Sequence, residues 1–301
     1  MDWVRFADMG PQGLGTGQRP RHRGWQRDDL PEAQGDLSHQ PGARRRYFQA
    51  YLRIAPLALA LWRAAEAGAV SLVSLSRPLL DLGCGFGEFG GVFFDEPTDV
   101  GLDVKRVDLR IAWERGPYRH LVQADGRHLP FRDGAFASVL SLSVLEHIDE
   151  VEQVIAEVWR VLRPGGVFVF TTPSPKMGQM LFYPRVLTAL GLGPLGRRYG
   201  NLVDRFFHHV SLKPLEEWSA ALEGSGFRVR QARQTVPPKL AAVFDLALPG
   251  ALSSQMGRFL GRGRWVWRPP GAVWLWNRLL GGLVEEDKEE GCNFFFAAEK
   301  P

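Results

Sequence analysis

The sequence predicts an α/β protein built around a mostly parallel sheet. Three observations carry that prediction. Short β-rich runs alternate with helix-like stretches between Pro78 and Pro173. The first run opens into a glycine-crowded turn, "LLDLGCGFGEFG", from Leu79 to Gly90. Acids lie within the first run and at the ends of the next two, at Asp81, Asp103 and Asp125. Strand, helix, strand, repeated, implies right-handed crossovers and therefore parallel neighbours.

Residues 1–42 are rich in Gly, Pro, Gln and Arg without a period of two or 3.6, so a disordered or mobile segment is expected there. "ARRRYFQAYLRIAPLALALWRAAEAGA" reads as helical, with Pro56 as a kink or break. The expected strands are "PLLDLG", "TDVGLDV", "RHLVQAD", "FASVLSLS" and "GVFVFTTP". In "DEVEQVIAEVWRVLRPGG", Val151, Val154, Ile155, Val158 and Leu162 recur at helical spacing, and Pro164-Gly165-Gly166 is the expected stop. "KPLEEWSAALEGSGFRVRQARQ" adds a helix and a strand, and "GCNFFFAAEK" a final strand. Segments 174–210 and 237–290 fall outside the repeat.

The chain has 301 residues, 45% of them hydrophobic, enough for one large α/β domain with additions. Its net charge of +4 is spread along the chain without a Lys/Arg block, so nucleic acid is not an expected partner. Two isolated cysteines, Cys84 and Cys292, make no disulfide framework and point to a reducing cytoplasm. The opening residues lack the apolar stretch of a signal peptide. No run approaches the roughly 18 apolar residues that span a bilayer, so a soluble or peripheral protein is expected.

The glycines admit two registers. Gly85-x-Gly87-x-x-Gly90 matches the dinucleotide fingerprint, and Gly83-x-Gly85-x-Gly87 is the other. The acids separate them. A carboxylate at Asp103 can accept both hydroxyls of a ribose, and one at Asp125 can accept an adenine amino group. Asp81, just before the glycines, can act through water or backbone on an ammonium group. Three such acids suit a ligand with adenosine and an amino acid, and would repel a pyrophosphate.

"LLDLGCGFGEFG", "VGLDV", "VQADGRHLPFRDGAFASVLSLSVLEHIDE" and "EVWRVLRPGGVFVFTTP" resemble the successive motifs of class I S-adenosylmethionine-dependent methyltransferases, most of all the ubiquinone and menaquinone biosynthesis branch. The resemblance is dense over 76–173 and thin at 208–235 and 291–299. It implies a Rossmann-like sheet of seven strands in the order 3-2-1-4-5-7-6, with the last antiparallel. It also implies S-adenosylmethionine as cofactor. Gly83, Cys84, Gly85 and Gly87 would line its methionine end, Asp103 the ribose, and Asp125 with Gly126 the adenine. Ser141, at the end of the fourth strand, would lie beside the sulfonium. The implied domain covers 43–236 and 291–301, with 237–290 as a helical Trp/Arg-rich insertion covering the sheet.

Methyl transfer from a sulfonium is an in-line displacement with a good leaving group, so a base is needed only where the acceptor loses a proton. The candidate catalytic residues are His147, His208 and His209. In related quinone O-methyltransferases a Glu-x-x-Glu-His segment holds a divalent metal; Ser143 replaces the first acid here, so no metal is expected. The expected acceptor is small and apolar or lipid-like, with O-methylation favoured over C-methylation. Trp265, Trp267, Trp274 and Trp276 among nearby arginines suit a peripheral membrane contact through 264–278. The rivals are an NAD-dependent oxidoreductase using the Gly85-Gly87-Gly90 register, and a catalytically silent scaffold of the same fold.

Overall fold

The computed structural model describes residues 42–259, 269–286 and 290–301. The expected N-terminal segment falls on residues 1–41, outside the described residues, apart from Gly42. Seven strands form one sheet: β1 (Leu79–Leu82), β2 (Thr98–Asp103), β3 (Tyr118–Gln123), β4 (Phe136–Leu142), β5 (Leu162–Pro173), β6 (Arg228–Thr235) and β7 (Asn293–Glu299). Their order is β3-β2-β1-β4-β5-β7-β6, with β7 antiparallel to both its neighbours, as the sequence predicts.

The helices follow from the same patterns. Pro56 separates α1 (Ala43–Ile54) from α2 (Leu57–Val70). α3 (Glu88–Phe93) and α4 (Arg106–Arg115) make the first two crossovers. In α5 (Val151–Val161) the buried residues are Val151, Val154, Ile155, Val158 and Val161, the apolar stripe of an amphipathic helix. That helix ends at Val161, before the expected Pro-Gly-Gly stop. Leu162 already pairs with Phe136 in the sheet, and Pro164–Gly166 form an irregularity inside β5 before Val167 pairs with Ser138.

One face of the sheet packs on α5 and α9 (Leu215–Gly224) through Leu80, Val139, Phe168, Trp218 and their neighbours. The other face packs on α1 and α2, both largely buried. Segment 174–210 forms α6 (Met177–Met180), α7 (Phe182–Ala189) and α8 (Gly193–Phe207). Segment 237–290 contributes α10 (Pro238–Phe259), which packs on α2 and α7, and α11 (Ala272–Glu285), which packs on α1. α2 thus reaches the carboxyl ends of β4 and β5, and α10 and α11 pack behind it.

Candidate functional site

β1 leads directly into the glycine turn. Gly83 and Cys84 both donate their N–H to the Leu102 carbonyl of β2, at 2.7 and 2.9 Å. This anchors the turn across two strand ends. Gly83, Gly85 and Gly87 all have positive φ, so the chain coils in a way that L side chains resist. The three differ in what lies above them. A Cβ on Gly83 would collide with the Val144 side chain, and one on Gly87 would fall 2.5 Å from Pro117. A Cβ on Gly85 would meet nothing within 4 Å. The turn is therefore packed at its ends and open at its middle, where a ligand can approach the backbone.

Asp103 ends β2 beside that opening. Its Oδ2 accepts from the Gly85 N–H at 2.9 Å and its Oδ1 from the Lys105 N–H at 2.8 Å. Each oxygen keeps a lone pair for a further donor. Asp81 lies buried in β1, where Tyr118 Oη donates to its Oδ2 at 2.5 Å. Burial pushes its carboxyl up to about 6. Gly90, the third glycine of the dinucleotide register, belongs to the packing: a Cβ there would lie 2.8 Å from the Tyr118 hydroxyl oxygen. Cys84 is buried and its thiol is pushed well up by burial, which keeps it neutral.

Asp125 stands two residues beyond the end of β3, not in the strand as the run suggested. Its oxygens already accept from Arg127, through the backbone N–H at 2.9 Å and the guanidinium at 2.7 Å. These bonds hold its carboxyl below the usual range. Arg127 also reaches Glu150 at 2.8 Å. An adenine amino group at Asp125 would share the carboxylate with Arg127. Gly126 is buried against Leu82, 3.3 Å from the Cβ it lacks. Ser141 lies inside β4, paired with Phe170, and its buried hydroxyl has no hydrogen-bond partner among the described residues. The residue that leaves β4 with strained backbone is Ser143, at φ 53°.

The candidate histidines, separated in sequence, come together. The N–H groups of Val210 and Ser211 donate to the Glu146 carbonyl at 2.8 and 3.0 Å. That tie brings the chain after α8 against the short helical turn Leu145–His147. His147 Nδ1 donates to the His208 carbonyl at 3.1 Å. The His147 and His209 rings stack at 5.7 Å, and Phe207 stacks on the other partner, His209, at 5.8 Å. His209 Nδ1 donates to Asp204 Oδ1 at 3.0 Å, which leaves its Nε2 as the basic nitrogen. Burial lowers His147 from its ordinary value. His208 is exposed and points its Nδ1 to the Phe206 carbonyl. Glu146 is fully buried; burial raises its carboxyl to about 8, and its Oε2 has no partner among the described residues.

Sequence reasoning missed the polar cluster supplied by α2. Glu66, fully buried, accepts from Ser143 Oγ and Thr171 Oγ1, both at 2.6 Å, and from Arg63 Nη1 at 2.7 Å. Arg63 also donates to the Leu142 carbonyl at 3.3 Å. Ser143 and Thr171 stand at the carboxyl ends of β4 and β5, so α2 is fastened to the strand ends by its only ion pair. A signal was present: Arg63 and Glu66 are the sole charged residues in "LALALWRAAEAGAV". A charged pair on such a helix needs a reason. Asp204 was also missed, hidden in a helix of mixed character. Among the described residues no group of three or more His, Cys, Asp or Glu could hold a metal ion.

Residues 80–170 match the family model described as a methyltransferase domain. Residues 80–170 thus form a methyltransferase domain. Over 151 residues it is 33% identical to a probable S-adenosylmethionine-dependent methyltransferase of Mycolicibacterium smegmatis, covering 46% of this chain and 59% of that protein. It is 26% identical over 202 residues to the phthiotriol/phenolphthiotriol dimycocerosates methyltransferase of Mycobacterium tuberculosis, covering 64% of this chain and 67% of that one. A malonyl-[acyl-carrier protein] O-methyltransferase of Enterobacter lignolyticus is 35% identical over 95 residues, or 31% of this chain and 38% of its own. The chain thus spans little more than half of the first of these relatives and less of the last.

Among solved structures, a Thermotoga maritima S-adenosylmethionine-dependent methyltransferase, described as a possible histamine N-methyltransferase, superposes with a TM-score of 0.51 at 16% identity. The match covers 88% of this chain and 98% of that one. The [4+2]-cyclase SpnF superposes at 0.50, with 19% identity and 80% and 81% coverage. These likenesses speak to the fold alone. S-adenosylmethionine is the cofactor of the family, and the methyltransferase domain has a place that fits it. The turn is open at Gly85, Asp103 has unused lone pairs beside it, and Ser141 and Glu146 carry buried polar atoms without partners.

Proposed function

We propose that this chain transfers a methyl group from S-adenosylmethionine to a small, apolar or lipid-like acceptor, preferentially at oxygen. When bound, the cofactor supplies a methyl group on a sulfonium that leaves as a neutral thioether. Gly83, Cys84, Gly85 and Gly87 line its methionine end, Asp103 holds the ribose, and Asp125 with Gly126 receives the adenine. Asp81, shared with Tyr118, keeps a buried acid behind the turn.

One observation carries the choice of oxygen. Asp204 holds His209 Nδ1–H at 3.0 Å, so Nε2 is free to take the proton that an acceptor hydroxyl must lose. The ring stacks on both His147 and Phe207. His208, turned to solvent, takes no part. The malonyl-[acyl-carrier protein] O-methyltransferase among the relatives supports transfer to oxygen, and the phthiotriol/phenolphthiotriol dimycocerosates methyltransferase supports a lipid-like acceptor. The nearby α11 supports a peripheral lipid contact: Trp274 is 66% exposed, and Arg278 lies over its ring at 5.9 Å. The other tryptophans of that cluster, Trp265 and Trp267, lie outside the described residues. No helix among the described residues is long and apolar enough to cross a membrane.

Transfer of labelled methyl from S-adenosylmethionine into a lipid extract, followed by identification of the product, tests the reading. His209→Ala should lower turnover by about 10²–10⁴-fold while leaving S-adenosylhomocysteine affinity unchanged. Turnover by the variant equal to wild type would remove His209 from the reaction. Failure of the wild-type chain to bind S-adenosylhomocysteine, with NAD binding in its place, would favour the oxidoreductase.

A further inference from the structure

α8 is oriented against its own apolar pattern. Its buried residues are Gly196, Gly200 and Val203, while Leu195, Leu202 and Phe206 are 47%, 63% and 45% exposed. The backbone explains why. A Cβ on Gly196 would fall 2.9 Å from the Pro184 carbonyl of α7, and one on Gly200 would fall 3.0 Å from the Gly178 carbonyl of α6. Only glycine permits that approach, so the glycine face must point inward and the large residues outward. Burying Leu195 or Leu202 would require these helices to separate.

The outward face continues beyond α8. Val186, Leu190 and Leu192, in α7 and the connection after it, are exposed as well. Cations are interleaved with them. Arg185, Arg197, Arg198 and Arg205 are exposed, and none makes an ion pair among the described residues. On α8, Leu195, Arg198, Leu202 and Arg205–Phe206 recur at helical spacing along one stripe. Asp204 is the only acid between residues 174 and 210, and it is engaged by His209.

We infer that this face of α7 and α8 docks on an anionic lipid surface. Apolar side chains that insert, ringed by guanidinium groups that meet phosphates, are what an interfacial helix requires. A second copy of the chain fits poorly, because a two-fold contact would set like charges opposite each other. A duplex nucleic acid offers no partner for the leucines. α8 ends at Phe207, two residues before His209, so the docking face leads directly into the segment that carries the candidate proton acceptor. The inference deepens the lipid-like acceptor proposed above and rests on it for its purpose, but the docking itself is measured separately.

Cosedimentation of the full chain with phosphatidylcholine vesicles, with and without a third of phosphatidylglycerol, tests it. Wild type should bind the anionic vesicles at low salt, at least about tenfold more tightly than the neutral ones, and be released as screening rises. R198E/R205E and, separately, L202E should each weaken binding about tenfold or more, while calorimetry with S-adenosylhomocysteine reports an unchanged fold. Wild type that ignores anionic vesicles would overturn the inference, as would variants that bind like wild type. A dimer in light scattering that L202E dissociates would reassign the face to a second copy, and equal binding to an acidic protein and not to vesicles would reassign it to a protein partner. Should L202E lose S-adenosylhomocysteine binding, the charge variant and the wild-type salt titration decide. Lipid docking without methyl transfer would leave this inference standing and remove the proposed reaction.

Discussion

Between Leu79 and Asp103 the site is made of backbone; in α2 and the 204–209 segment it is made of side chains. The glycine turn needs only φ values and one carboxylate, and its geometry follows from residues that are adjacent in sequence. The cover works by long-range pairing. Glu66 reaches Ser143 and Thr171, 77 and 105 residues away, and the His209 ring stacks on that of His147. A backbone site tolerates little variation at a few positions. A side-chain site depends on every partner being present, because each buried group that loses one is left exposed to a low dielectric.

The sharpest way to break the comparison is Glu66→Ala. It leaves Arg63 without its carboxylate and two strand-end hydroxyls without their acceptor. Loss of about 3–5 kcal/mol is expected in denaturant unfolding, with Glu66→Gln recovering part of it. A melt unchanged from wild type would mean that α2 is fastened by its apolar face alone.

Next come two substitutions that are identical in chemistry and differ in place. Gly83→Ala meets Val144 and should cost about 2–4 kcal/mol through strain and overpacking. Gly85→Ala meets open space and bears only the strain of its positive φ, about 1–2 kcal/mol, so its melting temperature should fall less than that of Gly83→Ala, while S-adenosylhomocysteine affinity falls about tenfold or more. Thermal melts and calorimetry on the two variants check the contrast. Equal effects on both readouts would mean that the turn has no open middle.

A third test acts on the ribose subsite. Asp103→Ala removes two charge-assisted acceptors, and affinity for S-adenosylhomocysteine should fall at least about tenfold. Unchanged affinity in a folded variant would move the ribose elsewhere.

The last expected effect is a slope with pH. Glu146 titrates near 8 in the folded chain and near its ordinary value when unfolded. The unfolded state therefore releases its proton first as pH rises. Stability from this group is fully present below the ordinary carboxylate range and is lost between there and about pH 8. Asp81, raised to about 6, adds to the lower part of the same window. Unfolding free energies measured across pH 5–8.5 should show a shallower decline in Glu146→Gln, and an equal decline would place the titration in other groups.

The strand half of the molecule was legible because its signals are local. The run Leu79–Leu82, the turn glycines and Asp103 lie within one crossover, and period and turn chemistry identify them. The strand order came with the motif order. The end of α5 was misplaced because Leu162 satisfies both a helical stripe and a pairing with Phe136, and the sheet won. Glu66 was overlooked because its partners are chosen by packing, which no spacing encodes. His147 and His209 were each suspected, yet their stacking depends on a bond between Val210 and Glu146 that sequence does not display.

The position of β7 has a consequence for how the fold is assembled. This strand lies between β5 and β6 but follows both in the chain, after α10 and α11. During vectorial synthesis β5 and β6 emerge with nothing between them. Until Asn293–Glu299 arrive, Val167–Pro173 present an unpaired edge of β-branched and aromatic residues. The cover helices emerge before that closing strand and can pack over α1 and α2 while the edge is still open. The last step in building the sheet is thus the insertion of a strand into a slot between two strands made before it, a long-range event that waits for the only strand to follow β6 among the described residues.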